Sequence, residues 1–210
     1  MRSAREMTGE PAVPLQSVDA TPNTGQPTRR LTTKYQWPGH VDALLRRVAD
    51  DGFLFYLCGD RGDPAVLVAA YYWDRHVDLI TITPPGRVTA VRAIREASFD
   101  PFAPRKVVWA YGNDPEPTLL AALNLPHPDH PDHPASSFEP PRLAVVPAHL
   151  QRPTTVKAPE PWRAGNRARR LEQALAQELA TMREAGLVPD GGTALRAAVV
   201  VTNRTAGSSV

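Results

Sequence analysis

The run that decides the architecture is Phe53-Leu54-Phe55-Tyr56-Leu57-Cys58-Gly59-Asp60-Arg61-Gly62-Asp63-Pro64, continued by Ala65-Val66-Leu67-Val68-Ala69-Ala70-Tyr71-Tyr72-Trp73-Asp74-Arg75-His76 and Val77-Asp78-Leu79-Ile80-Thr81-Ile82-Thr83, and closed by Pro84-Pro85-Gly86. Apolar segments of strand length at 53–58, 65–73 and 77–83 are separated by turn chemistry: Gly, Asp and Pro in the first link, Asp-Arg-His in the second. Parallel neighbours need a crossover of about a dozen residues or more, which these links cannot hold. The three strands are therefore antiparallel neighbours.

Working outward, Val41, Leu44, Leu45 and Val48 recur at i, i+3, i+4, i+7, which predicts a short amphipathic helix over 41–50, closed by Asp50-Asp51-Gly52. Downstream, 87–96 reads two ways. Val88 and Ala90 alternate as in a strand, whereas Val91, Ile94 and Arg95 suit a helix face; a fourth strand through 93 is expected. Asp100-Pro101-Phe102-Ala103-Pro104 reads as a rigid loop, 106–111 as a fifth strand, and 118–125 as a Leu/Ala-rich helix stopped by Pro126.

From 126 to 161, ten of 36 residues are Pro, the composition of a semi-rigid extended linker rather than a core. Beyond it, 163–185 reads as one long helix. Ala164, Ala168, Leu171, Leu175, Leu179 and Met182 form its apolar stripe, and Gly186 stands at the stop. An apolar run at 197–201 is a further strand or a tail clip. The expected fold class is α+β: a small antiparallel sheet with flanking helices, a Pro-rich linker and a long C-terminal amphipathic helix. The expected divisions are a disordered tail at 1–36, a compact domain at 37–125, the linker at 126–161, a helical segment at 162–202 and a frayed tail at 203–210.

Composition narrows the classes of function. The chain has 210 residues, 24 Lys+Arg against 22 Asp+Glu, 23 Pro and one Cys. No run approaches the roughly 18 apolar residues of a membrane span. A single Cys forbids an intramolecular disulfide, and no apolar stretch follows Arg2 and Arg5 as a secretory signal requires, so a cytoplasmic protein is expected. No GxSxG, Walker, HExxH or helix-opening GxGxxG pattern occurs. Catalytic residues and cofactors are therefore not expected. Cys58 ends an apolar strand and reads as a buried, inert thiol; Arg61-Gly62-Asp63 is turn chemistry. Asp60, Asp63, Asp74 and Asp78 lie near strand ends, but antiparallel connectivity sends the 59–64 and 74–76 turns to opposite ends of the sheet. An enzyme of undetected class would centre on His40 or His76.

Three constellations could carry chemistry. In Pro126-His127-Pro128-Asp129-His130-Pro131-Asp132-His133-Pro134, three His recur at every third residue, the period of a polyproline II helix. A metal held by His127, His130 and His133 is the sharp reading. However, a rise of about 3.1 Å per residue sets neighbouring His about 9 Å apart, whereas ligands on one zinc must approach within about 4 Å. The linker reading is preferred. Arg163, Arg167, Arg169 and Arg170 open the long helix and could meet nucleic-acid phosphates. Basic side chains at a helix N-terminus oppose its macrodipole, a cost that a bound anion would offset. Over 37–125 the charge is nine basic against eleven acidic, which does not suit a phosphate-binding body. Tyr71 with Trp73, and Trp109 with Tyr111, sit at period two as a sheet core or a base-stacking platform.

The segment Asp100-Pro101-Phe102-Ala103-Pro104-Arg105-Lys106-Val107-Val108-Trp109-Ala110-Tyr111, followed by Leu119-Leu120-Ala121-Ala122-Leu123-Asn124-Leu125, resembles open reading frames of high-GC actinobacteria. These share a D-x-F-x-P then V-V-W-x-Y pattern and a Leu-rich helix running into a Pro/His linker. The resemblance implies that order of elements and assigns no active site. The functional expectation is an accessory or protein-interaction protein. Leu171, Leu175, Leu179 and Met182 would form its interface with a second copy or a partner helix. The alternative is a nucleic-acid-associated protein using the four arginines.

Overall fold

The computed structural model describes residues 37–134 and 136–186. The expected tails at 1–36 and 203–210, and the apolar run at 197–201, lie outside the described residues.

The elements follow in the order α1 (Gly39–Asp50), β1 (Leu54–Gly59), β2 (Pro64–Tyr72), β3 (His76–Thr83), β4 (Arg87–Ile94), β5 (Val107–Asn113), α2 (Pro115–Asn124), β6 (Pro153–Lys157) and α3 (Asn166–Glu184). The six strands form one sheet in the order β5-β4-β3-β2-β1-β6, and every neighbouring pair is antiparallel. In the ambiguous segment at 87–96, Arg87–Ile94 is a strand, paired along its whole length with β3. The fold is α+β, as the turn chemistry implied.

β2 and β3 are buried along nearly their full length, without the alternation of a half-wet strand. Such a run needs cover on both faces. On one face, Leu67, Ala69, Tyr71, Ile80, Ile82, Val88 and Ala90 pack against Val41, Leu44 and Val48 of α1, Leu119 and Leu123 of α2, and Leu171 of α3. On the other, Val66, Val68, Ala70, Val77, Leu79 and Val91 pack against Phe102, Ala144 and Val146.

Those last two residues come from the Pro-rich segment. It does link the sheet to α3, and it also covers the sheet, which its composition did not announce. Its apolar run, Leu143 to Val146, begins within a 3-10 turn at Arg142–Ala144, and Val146 donates its N–H to the Phe102 carbonyl at 2.8 Å. Farther on, β6 adds antiparallel to β1 as an edge strand. Pro153 is its first residue, a position where a missing N–H is tolerated. The prolines therefore keep this stretch out of helices and central strands without keeping it off the core.

α3 begins three residues later than its stripe suggested. Arg163 and Ala164 donate to the Glu160 carbonyl in a turn, and Gly165 is the N-cap. Gly186, at φ +69°, lies just beyond the helix at the expected stop.

Candidate functional site

Three helix ends converge over one buried carboxylate. Asp78 on β3 and Arg92 on β4 are register partners across the hairpin, and both point into the helix-covered face. Arg92 donates through Nε to Asp78 Oδ1 at 2.6 Å and through Nη2 to Oδ2 at 3.0 Å, the bidentate fork a guanidinium favours. Its Nη1 reaches the Pro126 carbonyl at 2.8 Å. Arg167, in the first turn of α3, brings a second guanidinium to the same oxygen at 3.1 and 3.0 Å, and the Trp73 indole N–H adds a bond of 2.9 Å.

Both arginine side chains are 0% exposed. A buried ion is tolerable only when paired and hydrogen-bonded throughout. Arg167 meets that condition. Besides Asp78 it donates to the carbonyls of Ala122 and Leu123, two of the last carbonyls of α2, and to Asp51 at 3.3 Å. The rings of Phe53, Tyr71 and Trp73 surround its guanidinium at 5.3 to 6.0 Å. Burial alone would push the Asp78 carboxyl up, but the charges of Arg167 and Arg92 and their hydrogen bonds outweigh it and hold the carboxyl below its ordinary value.

The N-terminus of α3 also rests on the C-terminus of α1. The Arg167 N–H donates to the Asp51 carbonyl, the Ala168 N–H to the Tyr71 hydroxyl, and the Asn166 side chain to the Asp50 carbonyl at 2.7 Å. Gly52 permits this approach. It adopts φ +90°, and a Cβ there would overlap the Arg163 carbonyl oxygen.

The four arginines expected to face nucleic acid thus divide. Arg167 is buried and cannot reach a phosphate. Arg170 clasps Asp51 at 2.5 Å, and Arg163 pairs with Asp50 at 3.3 Å while stacking on Trp162. Arg169 is exposed and bonds Asn166 and the Trp162 carbonyl. For Arg167 and Arg170 the anion that offsets the helix-dipole cost is the chain's own Asp51. Tyr71 and Trp73 are core residues that box Arg167, and the half-buried Trp109 stacks on the exposed Tyr111. Cys58 is buried, and burial pushes its thiol up.

The expected interface stripe divides as well. Leu171 is buried in the core, whereas Leu175, Leu179 and Met182 are half-buried and belong to neither core cluster.

The histidine repeat is not a polyproline helix. The His130 N–H donates to the His127 carbonyl and the His133 N–H to the His130 carbonyl, both at 2.9 Å, so the two repeats are consecutive β-turns. Pro falls at the second position of each turn, where its fixed φ is favourable, and Asp at the third. The turns send the three imidazoles to different partners. His127 meets the Trp73 ring edge-on at 5.0 Å, His130 bonds Glu178 of α3 at 2.9 Å, and His133 packs on His76 with ring centroids 4.8 Å apart. His130 Nδ1 accepts the Asp132 N–H, which leaves Nε2 as the donor to Glu178. Among the described residues, no three His, Cys, Asp or Glu side chains converge as a metal requires.

His40 lines an open cleft of about 670 Å³ where α1 and α2 begin, with Trp37, Arg87 and Glu116. Its Nε2 lies 3.3 Å from Glu116 Oε2, both side chains being half-exposed. His76 is at the far end of β3, so the two histidines singled out for an undetected enzyme do not share a site.

Sequence reading passed over Arg92 and the role of Asp78. A signal was present: the two opposite charges stand among the apolar residues of β3 and β4, equally spaced about Pro85 at the centre of the turn. No protein-family model, curated protein or solved structure matches this chain. No helix among the described residues is long and apolar enough to cross a membrane.

Proposed function

We propose that this chain is a non-enzymatic interaction protein whose α3 pairs with α3 of a second copy. The observation that carries the reading is the unequal burial along one stripe. Arg167 and Leu171 anchor the first turns in the core, while Leu175, Leu179 and Met182 continue the same face only half covered. A helix clamped at one end and apolar beyond the clamp offers a groove-and-ridge surface to another helix. The single Cys58 supports a reducing, cytoplasmic setting. The test is Leu175→Glu with Leu179→Glu. The double variant should keep its helix content and lose the dimer; an unchanged assembly mass would refute the reading.

A second reading, binding of a small ligand, is supported by the cleft at Trp37, His40, Arg87 and Glu116. Binding there would raise the thermal midpoint progressively with ligand concentration, and His40→Ala would abolish the rise.

A further inference from the structure

In the second turn of the histidine repeat, His133 packs its ring on His76, the first residue of β3. His133 Nε2 is buried and has no hydrogen-bond partner. A buried imidazole nitrogen in that position is tolerable while the ring is neutral and becomes an uncompensated charge once it is protonated. The surroundings sharpen the contrast. Facing the ring pair are Arg92 from β4, Arg75 from the β2–β3 turn, Asp78 from β3 and Asp129 from the first repeat turn. Asp78 is already shared between two guanidiniums, and Asp129 is 87% exposed and screened by water. Neither can neutralise an imidazolium as well as Arg92 and the second ring oppose it. Burial, then Arg92, then His76 push His133 down to about 4, and burial and Arg92 also lower His76.

We propose that the His76–His133 ring pair is an acid-operated catch: neutral, it seats the turn at residues 130–133 on the sheet, and protonated, it lets that turn go. His130, at the start of the turn, is held separately, by Glu178 of α3. The opening is therefore confined to residues 131–134 and uncovers the His76 end of β3 beside Arg92. A metal bridging the two rings is disfavoured by the same guanidinium.

The sign follows from linkage. Groups whose folded value is depressed stabilise the closed form fully above the ordinary histidine value of 6.5 and lose that contribution as pH falls toward about 4. The experiment is amide exchange by NMR on the full chain from pH 7.5 to 4, corrected for intrinsic chemistry. Protection of the His133 amide, which donates to the His130 carbonyl, should fall through this window while Val68 and Ala69 of β2 stay protected. The opening constant should rise about tenfold per pH unit for each proton taken up. His133→Phe keeps a ring on His76 and should remove most of the pH dependence; His76→Phe is the second variant if the first misfolds. Flat protection of the His133 amide, loss only together with β2, or a variant opening with the same pH dependence would each overturn the proposal.

Discussion

Arg167 donates twice to the Asp78 carboxylate, at 3.1 and 3.0 Å, across 89 residues of intervening chain. That contact makes α3 part of the body of the protein at its first turn, while in the later turns Glu178 holds His130 and Leu175, Leu179 and Met182 stay outside both core clusters. The functional proposal depends on both halves of the arrangement.

The charge count at this junction orders the effects of substitution. Asp78→Asn leaves Arg92 and Arg167 buried without their shared anion, so we expect a loss of about 3–5 kcal/mol. In Arg167→Met the carboxylate keeps Arg92 and the Leu123 carbonyl keeps Arg170, so the main loss is the donor to the Ala122 carbonyl. Such a loss costs about 1–3 kcal/mol. The exposed Arg169→Gln should change stability by less than about 0.5 kcal/mol. Urea unfolding of the three variants checks the order.

Acid should unfold the protein in a lower window than the one that opens the histidine turn. Asp78 is held below its ordinary value, so its contribution is complete above the unfolded carboxylate value, about 3.9. It disappears as pH falls through the depressed folded value. Far-UV circular dichroism should hold steady down to about pH 4 and then decline. A loss of sheet signal between pH 7 and 5 would show that the Asp78 junction does not set acid stability.

Gly52→Ala tests the docking of α3 on α1. The substitution forces a side chain into φ +90° and against the Arg163 carbonyl. Backbone strain and overpacking each cost about 1–3 kcal/mol, so a clear fall in thermal midpoint is expected. Gly39→Ala, where a Cβ meets nothing within 4 Å, is the control.

The Pro-rich segment is tested by Val146→Asp. Were it only a tether, a surface-like charge there would be silent. Because Val146 is 1% exposed against the second face of the sheet, the carboxylate would be buried without a partner. Severe destabilisation or an insoluble product is expected, and a fold as stable as wild type would restore the tether.

Much of the fold was legible because the signals were local. The links at 59–64, 74–76 and 84–86 mark hairpins by residue type alone, and the helices show their caps and stripes. β6 was not legible: Pro153 to Lys157 is a short polar stretch among prolines, and only pairing with β1 makes it a strand. The histidine turns were misread because every-third-residue spacing satisfies both a polyproline helix and back-to-back turns; Asp after each Pro was the clue. The buried charges depend on contacts between distant segments. Arg167 looked like a phosphate ligand because nothing near it in sequence reveals Asp78. The apolar stripe of α3 runs from Ala168 to Met182, with Ala164 left in the turn before the helix, and where its cover ends is a property of the packed molecule.

The measurement that bears most directly on the account is sedimentation equilibrium of the wild-type chain over a range of concentrations. We expect a monomer of 22.9 kDa in reversible exchange with a species of twice that mass, linked through Leu175, Leu179 and Met182. A single 22.9 kDa species at every concentration would contradict pairing through α3.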